Sequence, residues 1–148
     1  MLKSDILNKL SNDTELRITH LRKDVLSILL SAKKPLTAYE ILAALKKKRP
    51  NAEPPTVYRV LDYLLEKKLI HKIQSSNQFV CCSHLSNFKA QYHGVLFLCD
   101  LCAQAFEFLE EGLRPFIEKL STKRNFAVSN SLIEIKGICQ KCLKKSAV

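Results

Sequence analysis

Glycine and proline are scarce, three and five residues among 148. That excludes low-complexity and linker-like chains and leaves a folded polypeptide rich in regular elements. No apolar run approaches the roughly 18 residues of a membrane span. Met1 to Leu10, MLKSDILNKL, lacks an apolar core of signal-peptide length, so a cytoplasmic protein without a membrane partner is expected. Neither H-E-x-x-H nor H-x-E followed by P-C-x-x-C occurs, and a zinc hydrolase or deaminase would need one of them. No enzyme activity and no small-molecule substrate are therefore expected. Acidic side chains are outnumbered, 14 Asp and Glu against 24 Lys and Arg, for a formal net charge of +10.

The length fits one domain or two small lobes, at roughly 150 residues per domain. The basic excess is uneven. Residues 1–75 carry 15 basic and 8 acidic side chains (+7), and residues 76–148 carry 9 and 6 (+3). A polyanion partner is expected on the N-terminal half. Six cysteines in a reducing compartment point to metal ligation before disulfides.

Along the chain, Leu21, Val25, Ile28 and Leu29 recur at helical spacing after Thr19, a possible N-cap. Thr37-Ala38-Tyr39-Glu40 reads as a capping box that opens a helix through about Lys48, stopped by Pro50. Pro54 and Pro55 suit the first turn of a third helix, TVYRVLDYLLEKK. From Leu69 to Cys82, LIHKIQ and QFVCC alternate around Ser75-Ser76-Asn77 and predict a hairpin. Three helices and a two-stranded wing form a winged helix-turn-helix. After it, GVLFLC and AFEFLE predict strands, residues 111–122 a helix, and NFAVSNSLIEIKGIC one or two more strands. The expected fold is α+β: winged helix over 1–82, hinge over 83–93, and a small α/β domain over 94–148.

In the third helix, Val57, Val60, Leu61, Leu64 and Leu65 fall within an arc of about 140° and predict the core face. Tyr58, Arg59, Asp62, Tyr63 and Glu66 take the opposite side. Arg59 lies nearly across from the stripe, where an arginine can pair bidentately with guanine O6 and N7. Tyr39 flanks the stripe of its own helix (Ala38, Ile41, Leu42, Leu45) and can reach DNA beside it. An ordinary solvated face is the alternative, set against the helix order and the local +7.

Cys99-Asp100-Leu101-Cys102 and Cys139-Gln140-Lys141-Cys142 are both C-x2-C, a spacing that turns two thiolates toward one ion. Two such pairs complete a closed tetrahedral zinc site. The 36 residues between Cys102 and Cys139 mean that it clamps a strand-helix-strand unit. Such a site carries a net charge of about −2, and Lys141, Lys144 and Lys145 stand close in sequence to offset it. A redox dithiol is the rival, but it has no use for a second pair.

The hairpin carries a second, mixed cluster. A loop at Ser75 to Gln78 would pair Gln74 with Phe79, Ile73 with Val80 and His71 with Cys82. Opposed residues share a face, so His71 and Cys82 could hold one metal, with Cys81 on the reverse. His93 and Glu107 offer the remaining ligands, with His84 as a competitor for one place. Imidazole, thiolate and carboxylate together suit zinc better than magnesium or calcium; a half-buried histidine and cysteine that hold no metal are the alternative.

With THLR, LTAYEIL, PPTVYRVLDYLLEKKLIHKI, NQFVCC and both cysteine pairs in view, roughly residues 16–145 resemble the ferric uptake regulator (Fur) family. The match is strongest to its zinc uptake regulator branch. The resemblance implies a bacterial cytosolic homodimer, with residues 94–148 as its dimerisation and zinc-binding domain, that binds operator DNA and represses zinc-uptake genes when metal-loaded. It implies base contacts by Tyr39 and Arg59 and backbone contacts by Tyr58 and Arg22. It implies structural zinc at Cys99, Cys102, Cys139 and Cys142, and sensing zinc at His71, Cys82, His93 and Glu107, two ions per monomer. These sensing ligands straddle the hinge, so a metal held by all four would fix the angle between lobes. Iron-type members carry an HHDH run before the first cysteine pair, where this chain has Gln91-Tyr92-His93-Gly94. That argues against iron or peroxide sensing and leaves Cys82 as the soft ligand that favours zinc; a repressor of the family that senses iron or manganese is one alternative. A metal-independent winged-helix protein with one structural zinc remains the other alternative.

Overall fold

The structure, a computed structural model, describes residues 3–85 and 93–146, with the backbone alone at residue 93. It divides into two compact units, Met1–Phe88 and Lys89–Val148. The division falls within the stretch expected as a hinge, most of which lies outside the described residues.

Among its described residues the first unit has four helices, α1 (Lys3–Ser11), α2 (His20–Ser31), α3 (Ala38–Lys46) and α4 (Pro54–Glu66), followed by strands β1 (Ile70–Ile73) and β2 (Gln78–Cys81). Three helices were expected. The additional one, α1, is anchored by only two buried residues, Leu7 and Leu10, too few to register as a periodic stripe. Local chemistry sets the other helix ends. Thr19 caps α2 by accepting the Arg22 N–H, and Thr37 and Glu40 complete a capping box on α3. Two prolines occupy the first turn of α4, where their missing N–H groups have no helical partner in any case. Beyond α4 the Leu69 N–H bonds to the Leu64 carbonyl and the Lys68 N–H to that of Leu65, with Lys68 at φ 57°. That is a Schellman stop, with lysine where glycine is usual.

The stripes meet in one core. Val25, Leu26 and Leu29 of α2, Ile41, Leu42 and Leu45 of α3, and Val57, Val60, Leu61 and Leu64 of α4 are all buried. Leu21, Ile28 and Leu65, expected inside, are half-buried, and Leu26 takes the central place on α2. Leu36 exchanges backbone bonds with Phe79, so the hairpin is tied to the segment that leads into α3.

The wing register differs from expectation by two residues. Its turn is Gln74–Asn77, so His71 opposes Val80 and Ile73 opposes Gln78. Asn77, at φ 52°, supplies the left-handed residue that closes the turn, a conformation asparagine tolerates better than most. A shift of two preserves the strand faces. Cys82 therefore remains on the face of His71, diagonal to it instead of opposite, with its N–H on the Leu69 carbonyl.

The second unit is a three-stranded sheet in the order β4-β3-β5, built from β3 (His93–Cys99), β4 (Ala105–Leu109) and β5 (Ser131–Gly137). Helix α5 (Leu113–Lys123) connects β4 to β5, and α6 (Gln140–Ser146), absent from the sequence expectation, closes the chain. β3 runs antiparallel to β4 and parallel to β5. Only β5 forms in the stretch where one or two strands were expected. Among the described residues no helix is long and apolar enough to cross a membrane.

Candidate nucleic-acid interface and metal centres

α4 turns its apolar stripe inward and leaves Tyr58 and Arg59 exposed. Tyr39, the second residue of α3, is 69% exposed. All three side chains are open to solvent. Arg22 and Tyr63 do not present free solvated side chains. The Arg22 guanidinium carbon lies 3.4 Å from the centroid of the Tyr63 ring, and the Tyr63 hydroxyl donates to the Leu16 carbonyl. Sequence pattern missed this because Tyr63 lies outside the apolar stripe and is covered by a cation, not by the core.

In the second unit, β3 and β5 are parallel neighbours, which brings their C-terminal ends together and with them both cysteine pairs. Ligand atoms of Cys99, Cys102, Cys139 and Cys142 all lie within 4.8 Å of one another. Thiolates bound at about 2.3 Å around a tetrahedral ion stand about 3.8 Å apart, and Cys102 and Cys139 Sγ are 3.8 Å apart. The donor set therefore fits a metal of zinc size. The first knuckle turns through Ala103 at φ 56°, and the Asp100 N–H holds the Gly137 carbonyl at 2.8 Å.

The four thiols are not equivalent. Backbone N–H groups of Cys139 and Cys102 favour the thiolate of Cys99 and lower its pKa to about 6. Cys142 is raised to about 12, first by its hydrogen bond with the Cys139 thiol and then by burial. Above about pH 6 Cys99 thus offers a ready thiolate, while Cys142 holds its proton until an ion displaces it.

On the wing, His71 and Cys82 are both buried, and their ligand atoms lie within 4.8 Å of each other. His84 directs its backbone N–H to the Cys82 sulfur at 3.4 Å. Glu107 sits mid-strand in β4 opposite Leu96. His93 begins β3, and its side chain lies outside the described residues. Cys81 directs its sulfur toward the Leu69 and Cys82 carbonyls, 3.7 Å from each.

A family model described as the ferric uptake regulator family matches residues 13–136. The chain belongs to that family. Among curated relatives, this Fur-family chain is 34% identical over 139 residues to the zinc uptake regulation protein of Escherichia coli (strain K12), covering 94% of this chain and 80% of that one. It is 31% identical over 138 residues to the peroxide operon regulator of Bacillus subtilis (strain 168), covering 90% and 88%. Among solved structures, a zinc uptake regulator complexed with zinc and DNA superposes with a TM-score of 0.92 at 31% identity, covering 100% of this chain and 99% of that one. The resemblance expected from the motifs, including the zinc uptake branch, is borne out.

Proposed function

We propose that this Fur-family chain is a zinc-responsive transcriptional repressor, cytoplasmic and homodimeric, that binds operator DNA when zinc-loaded and controls zinc-uptake genes. The observation that carries the zinc response is the buried His71–Cys82 pair on the wing. An imidazole and a soft thiol together suit zinc, and they belong to the first unit, whereas the four-cysteine cluster of the second needs no further ligand. The zinc uptake regulator solved with zinc and DNA, so similar along its whole length, supports the same reading.

The functional parts follow. Cys99, Cys102, Cys139 and Cys142 hold a structural zinc. His71, Cys82, His93 and Glu107 hold a sensing zinc, for two ions per monomer. Bound zinc supplies a fixed cross-link between side chains. Because His71 and Cys82 precede the hinge at 83–93, His93 ends it and Glu107 follows it, ligation raises the fraction of dimers whose reading helices match half-sites about one helical turn apart. Tyr39 and Arg59 read bases, and Tyr58 contacts the sugar-phosphate backbone.

The dimer surface is the open face of the second unit's sheet. Val95, Phe97, Phe106, Phe108, Ile133 and Ile135 share that face by strand register, and Phe108 is 54% exposed. Phe97 and Phe108 pack edge to face, 5.4 Å between centroids. A contiguous apolar face of this kind marks a protein interface.

The deciding experiment titrates DNA binding against chelator-buffered zinc, iron and manganese with the four-cysteine site kept loaded. Zinc alone should raise affinity, with two zinc ions per monomer by elemental analysis. A response to iron or manganese instead would move the chain to another branch of the family. No metal response, with one zinc per monomer, would leave a metal-independent DNA-binding protein.

A further inference from the structure

The Arg22–Tyr63 contact belongs to neither metal site and serves the reading helix in a way that exposure alone does not reveal. Tyr63 follows Arg59 by four residues on α4, so both leave the same flank of the helix. The Tyr63 hydroxyl donates to the Leu16 carbonyl. Nη1 of Arg22, whose guanidinium covers the Tyr63 ring, donates to the Arg17 carbonyl at 2.7 Å. Two consecutive carbonyls of the α1–α2 turn are thus held by side chains from α4 and α2. Arg17 itself stands at φ 40°, a region that bulky residues rarely enter and that persists only where the surroundings over-determine it. Lys67 adds a second cation 5.7 Å from the same ring.

Resting on the DNA-binding role proposed above, we propose that Arg22 and Tyr63 are positioning residues for the recognition helix. Their clamp ties the α1–α2 turn to α4 and so sets the angle at which Arg59 meets the base edges. Arg22 is then a brace rather than the phosphate contact that family resemblance implies. The planar guanidinium is essential, because it stacks on the ring and donates in its own plane at once; an ammonium does not reproduce both.

The test compares the zinc-loaded full chain with Tyr63→Phe, Arg22→Lys, Arg22→Ala and the Tyr63→Phe/Arg22→Lys double variant. The probe is a duplex selected by the unsubstituted protein from a random-sequence pool, measured against unselected DNA across a salt series. Each single variant should lose roughly threefold to tenfold in preference for the selected duplex, the effect of one hydrogen bond or stack. The double variant should lose no more than either single one. The slope of log affinity on log salt should stay unchanged, and trypsin should cut after Arg17 faster in every variant.

Full preference in Tyr63→Phe overturns the proposal, as do additive losses in the double variant or unchanged cleavage after Arg17. So does a slope reduced by about 0.9 in Arg22→Ala, the mark of one lost phosphate contact, while Tyr63→Phe binds normally. An unsubstituted protein that selects no duplex overturns the proposed function and this inference with it. Binding that survives Tyr63→Phe intact overturns the inference alone.

Discussion

Replacing Cys99 by serine should unfold the second unit and leave the first intact. Of the twenty-two buried hydrophobic residues described, twenty lie in the first unit; the second has only Leu96 and Cys99. Neither α5 nor α6 buries a residue. Full burial of Leu96 contributes about 2–3 kcal/mol. A structural zinc in a small domain contributes about 10–16 kcal/mol, so the metal outweighs anything this unit buries on its own. Cys99 is the most exposing choice of ligand. It is the thiol held lowest, at about 6, and a serine hydroxyl offers neither a soft donor nor an accessible anion. Hydrogen exchange read by mass spectrometry distinguishes the units within one molecule. In Cys99→Ser, amides of β3 and β5 should exchange at unfolded rates, while those of α2 and α4 keep their protection. If β3 and β5 stay protected in a Cys99→Ser protein shown to carry no zinc at this site, the reasoning is wrong and the sheet stands without its metal.

Lys68→Gly should stabilise the first unit by about 1 kcal/mol, because it relieves a side chain held at φ 57° against glycine's modest entropic cost; no rise in the thermal midpoint would contradict this. Thr37→Ala should cost about 1 kcal/mol by removing the capping box, measured by urea unfolding. The Glu40 carboxyl is held below its ordinary value, first by the Thr37 backbone N–H and then by the Thr37 side chain. Its contribution is complete above the unfolded pKa of about 4.3 and is lost as pH falls through the lower folded value; a Glu40→Gln protein should lack that acid-side loss. Zinc affinity of the four-cysteine site should rise with pH across the neutral range, since Cys142, raised to about 12, must release its proton on ligation. Chelator competition at several pH values checks this, and a flat profile would contradict it.

Much of the fold was legible because burial and capping write themselves into spacing. The stripes of α3 and α4, the Thr19 cap and the capping box at Thr37 were found where expected. The cysteine quartet was legible for a different reason, since C-x2-C spacing has few uses in a reducing compartment. Illegible features share a cause: each depends on a contact distant in sequence or on one dihedral angle. Helix α6 has no buried residue and begins between the cysteines of the second pair. The wing register turned on whether Asn77 or Gln78 ends the loop, and only the backbone angle decides that. Tyr63 reads as a solvated residue until the turn forty-seven positions away lies beneath its hydroxyl.

The parallel pairing of β3 with β5 also has a kinetic consequence. One cysteine pair begins on the last residue of β3, and the other arrives only after β4, α5 and β5 have been threaded. Closing a loop of that length before any contact rewards it is slow. Metal capture should therefore come late on the folding route, and the refolding rate of the second unit should track free zinc while that of the first does not. A cell short of zinc would accumulate chains whose helical half is complete and whose sheet still waits for its clasp.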